Sequence, residues 1–305
     1  MIDFHFQKKR RHHHVWQHYL KPWVMDGRLL GMTGDTLFRR VTSNVAVERY
    51  FYALEKLNPT DIFLVKKLIA DTPHPAAKRT HERFLKQLTV PSWLEGRSTK
   101  IDEIIEIFRT NVLEDHHTAI ENSFLPLLDR ALTGDISFYF DNKDCVIFLN
   151  YLCAQYMRTK GLRDKIVSLS FQRTGLDLSR IWPIWSQMFA VNIGGSVYVE
   201  RSKRKLVLLH NNTGTPFITG DQPVVNLLAT SPEAPTELAF YYPLAPQLAL
   251  VLNEVDGELP LSSETLSSEQ VHSLNARLFA ASHAQIFGTS EDAIRSAKSA
   301  APWKP

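Results

Sequence analysis

The spacing of hydrophobic positions predicts helices over most of the middle of the chain. From Asn44 onward, apolar residues recur every three or four positions, which is the period of an amphipathic helix. The first of them are Val47, Tyr50, Phe51 and Leu54. The stretch NPTD at 58–61 can end that helix and cap the next one, and Gly134 is typical of a helix stop. Further helices are predicted near 76–88, 100–115, 117–132, 142–160, 163–175 and 177–190.

Strand patterns occupy the two ends of the chain. Alternating apolar residues and glycine turns in DGRLLGMTGDTLFRRV at 26–41 predict a short hairpin. After Gly194-Gly195, the stretch SVYVERSKRKLVLLHNN predicts two strands around a charged turn. A last helix is predicted at about 263–282, before a polar tail. Other strands are predicted in TPFITGDQPVVNL, AFYYPLAP, QLALVLNEV and HAQIFGT.

This order predicts an α+β fold with a predominantly helical body, a small N-terminal hairpin and a C-terminal antiparallel sheet. No internal repeat or low-complexity linker divides the 305 residues. Surface loops are expected at Pro91 to Thr99 and Ser231 to Thr236, but neither has the character of a domain boundary. We therefore predict a single domain, 1–305, with its helical body at about 44–190 and its β-rich part at about 194–290.

Composition adds modest constraints. An apolar fraction of 44% and a charged fraction of 22% are ordinary for a globular protein. A net charge of +3 permits a nucleic-acid partner without requiring one. No apolar run approaches roughly 18 residues, so no membrane partner is expected. Cys145 and Cys153 would lie about 12 Å apart on one helix, too far for a disulfide, which favours reduced thiols and a cytoplasmic location. The oligomeric state stays open.

The stretch RRHHHVWQHYL at 10–20 carries four histidines in seven positions. Its large apolar residues continue at helical spacing, so we expect a packed helix and not the remnant of a purification tag. These residues are Trp16, Tyr19, Leu20 and Trp23. On such a helix His13 and Gln17, or His14 and His18, would share a face. A lone HxxxH pair is a weak signal for zinc, because a site needs further ligands.

The opening stretch HHHVWQHYLKPW combines a histidine pair with an aromatic-Tyr-Leu run. In this it resembles the start of a bacterial family of proteins of unknown function, DUF4238. LCAQYMRTKGLRDKI at 152–166 and NTGTPFITGDQPVVNL at 212–227 are similar to two later family motifs. YPLAPQLALVL and LNARLFAASHAQIF also fit, so the likeness spans nearly the whole chain. The resemblance implies a fold but no established reaction.

The chain departs from that family at four positions. Trp16 stands where proline is usual, Gly220 where serine is usual, and Gln222 where asparagine is usual. His18 stands where the family tends to have an apolar aromatic residue. This last departure weakens the zinc hypothesis and favours His13 or His14 as the functional histidine.

Four segments supply polar residues that a plain core would not need. These residues are His13, His14, Gln17, Glu121, Gln155, Arg158, Arg163, Asp221 and Gln222. Each has a structural interpretation as well. Glu121 and Arg158 can form one buried ion pair, and Asp221 can satisfy the backbone donors of its own turn. Because buried charge is costly unless it is paired or used, the set as a whole favours a functional site.

These residue types suit phosphodiester cleavage. We assign His14 as the base, Arg158 and Arg163 as a phosphate clamp, and Glu121 and Asp221 as acids or ligands of a divalent metal such as Mg²⁺. The remaining residues, His13, Gln17, Gln155 and Gln222, would bind substrate. The basic run at 8–11 would attract RNA or DNA. The expectation is a nuclease-like enzyme of the toxin or antiviral-effector kind. The alternative is a non-catalytic binding module for nucleic acid, an anion or a protein, in which the same residues form a structural network.

Overall fold

The structure, a computed structural model, describes residues 7–229, 237–255 and 266–301. The α-helices of this part are α1 Pro59–Asp71, α2 Pro75–Leu88, α3 Thr99–Leu132, α4 Asn142–Met157, α5 Lys160–Thr174, α6 Trp182–Val199, α7 Ser268–Ala281 and α8 Glu291–Ala300. Its strands are β1 Arg11–His13, β2 Val24–Met25, β3 Arg28–Thr33, β4 Thr36–Arg40, β5 Val47–Arg49, β6 Arg204–His210, β7 Thr219–Gly220, β8 Val225–Asn226, β9 Phe240–Ala245, β10 Leu248–Glu254 and β11 Ile286–Gly288. The loop expected at 231–236 and the predicted helix start at 263 lie outside the described residues.

The N-terminal strands join a sheet with the C-terminal part of the chain. β2 turns into β3 through Asp26 and Gly27, whose φ angles of 51° and 72° suit the tight turn that Asp-Gly favours. β3 then pairs with β4, which confirms the hairpin predicted at 26–41. On its other edge β3 pairs with β11, and β11 pairs with β7. Residues from both ends of the chain are therefore fixed in one sheet.

A second antiparallel sheet has the order β6-β10-β9-β8, as expected for the C-terminal region. Its central strands are buried on both faces. Because side chains alternate along a strand, neighbouring residues enter different cores. Tyr242 belongs to the core shared with α3 and α4, while Tyr241 belongs to the core shared with α7 and α8. The predicted α+β class and the C-terminal antiparallel sheet are confirmed.

The longest helix, α3, runs without a break where two helices, 100–115 and 117–132, were predicted. That prediction was wrong because the sequence around His116 contains neither glycine nor proline, and so nothing there stops a helix. Pro126 lies within the helix, near its end. Gly134, with a φ of 96°, follows the last turn and confirms the predicted stop.

The helix predicted from Asn44 is absent from the described residues. Val47–Arg49 is strand β5 instead, and it pairs with β1. Ala46 and Tyr50, on either side, have φ angles of 46° and 59°, and a right-handed helix cannot pass through such residues. The helical body therefore begins at Pro59, where Asn58 and Asp61 form the capping box that NPTD predicted.

Two other local predictions were also wrong. The stretch SVYV is the last turn of α6, so the charged region contains one strand, β6. The polar tail forms α8, which begins with the cap of Ser290. Helices that could cross a membrane are absent from the described residues. Cys145 and Cys153 are both buried and free. The single-domain assignment stays a prediction.

Candidate functional site

The histidine run is a strand held against α3, and not the predicted helix. Lys9 N donates to Asn111 Oδ1 at 2.8 Å, and Asn111 Nδ2 donates to the carbonyl of Gln7 at 2.9 Å. Lys9 Nζ binds Asp115. β1 follows and pairs with β5, and residues 17–20 form turns that lead into a short 3₁₀ helix, Lys21–Trp23. The three consecutive histidines are therefore placed beside the middle of α3.

His12 has a structural role. It is fully buried, and its ring stacks on Tyr52 with centroids 5.8 Å apart. Nδ1 accepts the backbone N–H of Tyr52 at 2.9 Å, and Nε2 donates to the carbonyl of Lys9 at 2.8 Å. Both ring nitrogens are thus used inside the protein.

His13 is half-buried and borders a cavity. Nε2 lies 3.2 Å from the carbonyl oxygen of Ser43, which can only accept, so Nε2 carries the hydrogen and Nδ1 keeps a lone pair. Gln17 Nε2 approaches Nδ1 at 3.4 Å. Burial lowers the pKa of His13, so the ring is neutral near pH 7. The sequence placed His13 and Gln17 together, and they do meet, across a turn.

His14, the base proposed from the sequence, is 5% exposed and packs on Phe51. Burial lowers the pKa of His14 to about 3. Its backbone N–H donates to the carbonyl of Ala46, and its own carbonyl accepts from Gln155 Nε2 at 2.9 Å. Gln155 therefore links α4 to the histidine segment by this hydrogen bond. Because His14 does not line the cavity, the structure favours His13 over His14 as a proton acceptor.

The cavity has a volume of about 190 Å³. One of its walls is a polar stripe on α3, formed by residues spaced i, i+3, i+4 and i+7 on one helix face. These four residues are Glu114, His117, Thr118 and Glu121. The other wall is formed by His13, Trp16 and Gln17. We call it the Glu114 cavity.

Glu114 and His117 were missed in the sequence, although their spacing from Glu121 was visible. The predicted helix break near His116 placed Glu114 on a different element from His117 and Glu121 and so hid the full stripe. Once α3 is continuous, positions 114, 117 and 121 share a face. Charged residues at this spacing, beside apolar residues that continue into the core, are the signal that could have found them.

Glu114 is the most unusual acid of the cavity. Burial raises its pKa to about 7, and the charge of Glu121 adds to the rise, while Arg158 opposes it. Its Oε2 atom is buried without a hydrogen-bond partner among the described residues. A carboxyl group with such a pKa is partly protonated near neutral pH, so it can both give and accept a proton.

His117 is 2% exposed, and burial holds its pKa well below the usual range. Its Nε2 lies 3.2 Å from the amide nitrogen of Gln187, which can only donate. The ring hydrogen of His117 is therefore on Nδ1, and Nδ1 lacks a partner in the described part of the chain. His117 brings one unused N–H to the cavity.

Behind the cavity, Arg158 forms the ion pair with Glu121 that the sequence suggested. Arg158 Nη2 lies 2.6 Å from Glu121 Oε1, and the two side chains are 2% and 12% exposed. Burial raises the pKa of Glu121, and the guanidinium opposes that rise. Arg158 is thus close to the site but already neutralised by a carboxylate.

Arg163 does not join Arg158 in a phosphate clamp. Its Nε donates to Asp164 Oδ1 at 2.9 Å, and its guanidinium lies 4.5 Å from the centroid of the Phe51 ring. It is absent from the wall of the Glu114 cavity. The two arginines that the sequence paired therefore have separate partners.

Asp221 is 4% exposed, and its carboxylate accepts three backbone N–H groups, from His283, Ala284 and Gln285, at 2.8, 2.8 and 2.9 Å. Burial raises the pKa of Asp221, and the three amides oppose that rise. The Oε1 atom of Gln285 in turn accepts the N–H of Ala46 at 2.8 Å. Asp221 therefore fixes the loop at 283–285. Through Gln285 this loop holds Ala46, whose carbonyl accepts the backbone N–H of His14.

Gln222 is likewise engaged within the protein. Its amide nitrogen donates to the carbonyls of Val224 and Tyr156 at 3.0 and 3.3 Å, and its oxygen accepts from Thr159. Neither Asp221 nor Gln222 borders the Glu114 cavity. The substrate-binding role assigned to Gln222 and the acid role assigned to Asp221 have no geometric support.

The described residues contain no group of three or more His, Cys, Asp or Glu side chains placed to hold a metal ion. The HxxxH pair is separated, because His14 packs on Phe51 while His18 stacks on Trp16. Carboxylate oxygens of the kind that Mg²⁺ prefers are present in the cavity at Glu114 and Glu121.

Two residues of the cavity carry unpaired polar atoms. In the described part of the chain, eleven buried side-chain nitrogen or oxygen atoms lack a hydrogen-bond partner. Glu114 Oε2 and His117 Nδ1 are among them, and both residues line the cavity. A third, Arg158 Nε, belongs to the ion-pair partner of Glu121. Such atoms are rare in protein interiors, and an unpaired polar atom beside a cavity is available to a ligand.

A family model described as "Protein of unknown function (DUF4238)" matches residues 11–292 of the chain. No curated protein and no solved structure matches the chain.

Proposed function

The chain belongs to the DUF4238 family of proteins of unknown function, and on the geometry of the Glu114 cavity we propose that it is a hydrolase of phosphodiester bonds in RNA or DNA. The observation that supports this is a carboxyl group with a pKa of about 7 in the same small cavity as a neutral imidazole. General acid–base catalysis needs this combination, because one group must hold a proton while the other can accept one.

The proposed step uses His13 and Glu114. A water molecule attacks phosphorus and passes a proton to Nδ1 of His13, which only a 3.4 Å contact to Gln17 occupies. The P–O bond to the leaving nucleoside oxygen breaks, and that oxygen takes the proton of Glu114. The products are a phosphate monoester and a free hydroxyl group. Exchange with solvent then restores both side chains.

Charge near the site supports an anionic substrate. Lys8 and Lys9 of the basic run are neutralised by Glu106 and Asp115. Arg11, by contrast, is exposed and donates to neutral oxygens, the carbonyl of Ser43 and the side chain of Asn44. Its charge is close enough to lower the pKa of His13. A phosphate bound beside His13 would be near this guanidinium, which forms no ion pair within the part of the chain that the structure describes.

The direct experiment incubates the purified protein with end-labelled RNA and DNA, with and without Mg²⁺ or Mn²⁺. We expect cleavage of at least one of the two, and its loss in His13→Ala. His74→Ala is the matched control, because His74 is an exposed histidine at the start of α2. Absence of cleavage under all conditions, or full activity of His13→Ala, would overturn the proposal. Comparison of the reactions with and without Mg²⁺ or Mn²⁺ decides whether a divalent ion takes part.

The proposal extends to a cytoplasmic location and to a role as a toxin or antiviral effector. A nuclease of this kind should slow the growth of a bacterial host in which it is produced. We expect that effect to disappear in His13→Ala produced at the same level.

A second candidate is a non-catalytic binding module. It is favoured by the use of Gln155, Arg158, Asp221 and Gln222 in bonds within the protein. In that case RNA or DNA would bind without being cleaved. His13→Ala would then weaken retention in a gel-shift assay while no product forms with the wild type.

A further inference from the structure

Trp16 lines the Glu114 cavity, and its indole ring is held in place by two neighbours. Its ring stacks on His18 with centroids 5.1 Å apart and planes 23° apart, and the ring of Tyr151 meets it edge-on at 5.8 Å. Tyr151 is itself fixed by a hydrogen bond of 2.8 Å to the hydroxyl of Tyr242. Because both neighbours restrain the indole, a planar ring that stacks on it would bind without further ordering of Trp16.

The polar groups opposite include both hydrogen-bond acceptors and donors. Glu114 Oε2 is buried and unpaired, and Glu121 retains acceptor capacity beyond the bond from Arg158. His117 supplies one buried N–H, at Nδ1, without a partner in the described residues. A ligand suited to this cavity therefore has a donor for Glu121 and an acceptor for His117, which leaves Glu114 free to act as the acid.

The size of the cavity limits the ligand to one ring system. Its volume of about 190 Å³ lies below the roughly 300–1,000 Å³ of sites that hold drug-sized molecules. A hydrogen-bonded base pair cannot enter such a space, so a base must be unpaired before its edge can reach Glu114 or Glu121.

We infer that the cavity binds one unpaired base of a single-stranded nucleic acid, stacked on Trp16, with an exocyclic amino group that donates to Glu121. Cytosine and adenine carry both that amino group and an adjacent ring-nitrogen acceptor for His117. Uracil presents a carbonyl oxygen at the position of the cytosine amino group, and this oxygen would face a carboxylate oxygen. The inference rests on the proposed function and names the substrate class for it.

Binding is tested without any cleavage, by tryptophan fluorescence during titration with cytidine, adenosine and uridine 5′-monophosphates. We expect cytidine and adenosine monophosphates to quench the wild type, and uridine monophosphate to bind at least about 10-fold more weakly. The quenching should vanish in Trp16→Leu and persist in Trp93→Leu, a control at a tryptophan that is 63% exposed. Trp16→Tyr keeps a flat ring but lacks the quenched indole, so its binding is measured by calorimetric titration. It should retain the preference for cytidine over uridine monophosphate even if Trp16→Leu fails to fold.

Cleavage is tested on single-stranded oligocytidylate and oligouridylate, and on one sequence as single strand and duplex. We expect at least about a 10-fold preference for cytidine over uridine and for the single strand over the duplex. Equal rates on all of them overturn the inference and leave the proposed hydrolysis standing. Quenching by cytidine monophosphate that depends on Trp16, without cleavage of any substrate, supports the inference and overturns the hydrolysis. Neither quenching nor cleavage overturns both.

Discussion

Arg158 Nη2 lies 2.6 Å from Glu121 Oε1, and this bond joins the end of α4 to the middle of α3 where solvent scarcely reaches. The carbonyl of Arg158 also accepts the hydroxyl of Tyr52 at 3.1 Å. Tyr52 in turn donates its backbone N–H to His12. The ion pair is therefore the point at which α3, α4 and the histidine strand are tied together behind the Glu114 cavity.

Breaking this pair should destabilise the fold. Glu121→Gln leaves the guanidinium buried without a countercharge, and we expect a loss of about 3–5 kcal/mol in the free energy of unfolding. Arg158→Met should cost a similar amount, and the double variant clearly less than the sum of the two. Urea denaturation measures this cycle. Glu103→Gln, at an exposed position of the same helix, should stay within about 0.5 kcal/mol of the wild type. Additive losses in the double variant would contradict the coupling.

Acid should weaken the fold through His14. Its folded-state pKa of about 3 lies below the usual 6.5, so protonation favours the unfolded chain. The stability that the neutral ring contributes is complete above pH 6.5 and is lost as the pH falls towards 3, by about 5 kcal/mol in all. Between pH 6.5 and 5 the buried Glu114 carboxyl acts in the opposite sense, so the two proteins are compared over the same range. We expect the unfolding free energy of the wild type to fall relative to that of His14→Gln as the pH is lowered. A slope unchanged by that substitution would contradict the assignment.

The contribution of Glu114 to stability should change with pH in the direction opposite to that of His14. Its folded-state pKa of about 7 exceeds the usual 4.5, so its contribution is fully present below pH 4.5 and is lost as the pH rises through 7. Glu114→Gln removes the charge and should stabilise the protein by about 2–3 kcal/mol at pH 8, with little effect at pH 4.5. Thermal unfolding at the two pH values measures this difference. A variant that is less stable than the wild type at pH 8 would disprove it.

Asp221 should matter for stability and not directly for chemistry. Asp221→Asn replaces one accepting oxygen with a donor that faces backbone N–H groups, so we expect a loss of about 2–4 kcal/mol. Asp129→Asn, at an exposed site, is the matched control and should change the unfolding free energy by less than about 0.5 kcal/mol. If Asp221→Asn is as stable as the control, the three-amide arrangement does not hold the loop.

Gly220 has no room for a side chain. A Cβ atom at this position would lie 2.9 Å from the carbonyl oxygen of Gln285 and would collide with Ser282. We expect Gly220→Ser to lose about 1–3 kcal/mol of unfolding free energy, and Ser282→Gly in the same chain to restore part of it. Gly195→Ser, at a glycine with nothing within 4 Å of a Cβ, should be nearly neutral. Chemical denaturation compares the four proteins.

Local patterns were sufficient for much of this fold. The capping box of Asn58, the Asp26-Gly27 turn and the stop at Gly134 depend on a few neighbouring residues, and all three were visible in the sequence. The strand at Val47–Arg49 was not, because its partner is β1, far away in the sequence. Its apolar spacing fits a helix equally well, and only the pairing decides between them.

The sequence identified only part of the candidate site, again because contacts between distant residues are not visible in local patterns. His13, Gln17, Glu121 and Arg158 stand out as polar residues in apolar surroundings. Whether such a residue bonds within the protein or lines a cavity depends on partners distant in sequence, as Asp221 illustrates with the amides of 283–285. Glu114 was missed because a wrong helix break concealed that it shares a face with Glu121.

The most direct test of the Glu114 cavity as an active site is the rate of RNA or DNA cleavage by Glu114→Gln at pH 7, measured beside Glu103→Gln. We expect Glu114→Gln to fold at least as stably as the wild type and to cleave about 10²–10⁴-fold more slowly, the range typical of a lost general acid. Glu103→Gln should cleave at the wild-type rate. Wild-type cleavage by a folded Glu114→Gln would contradict the account.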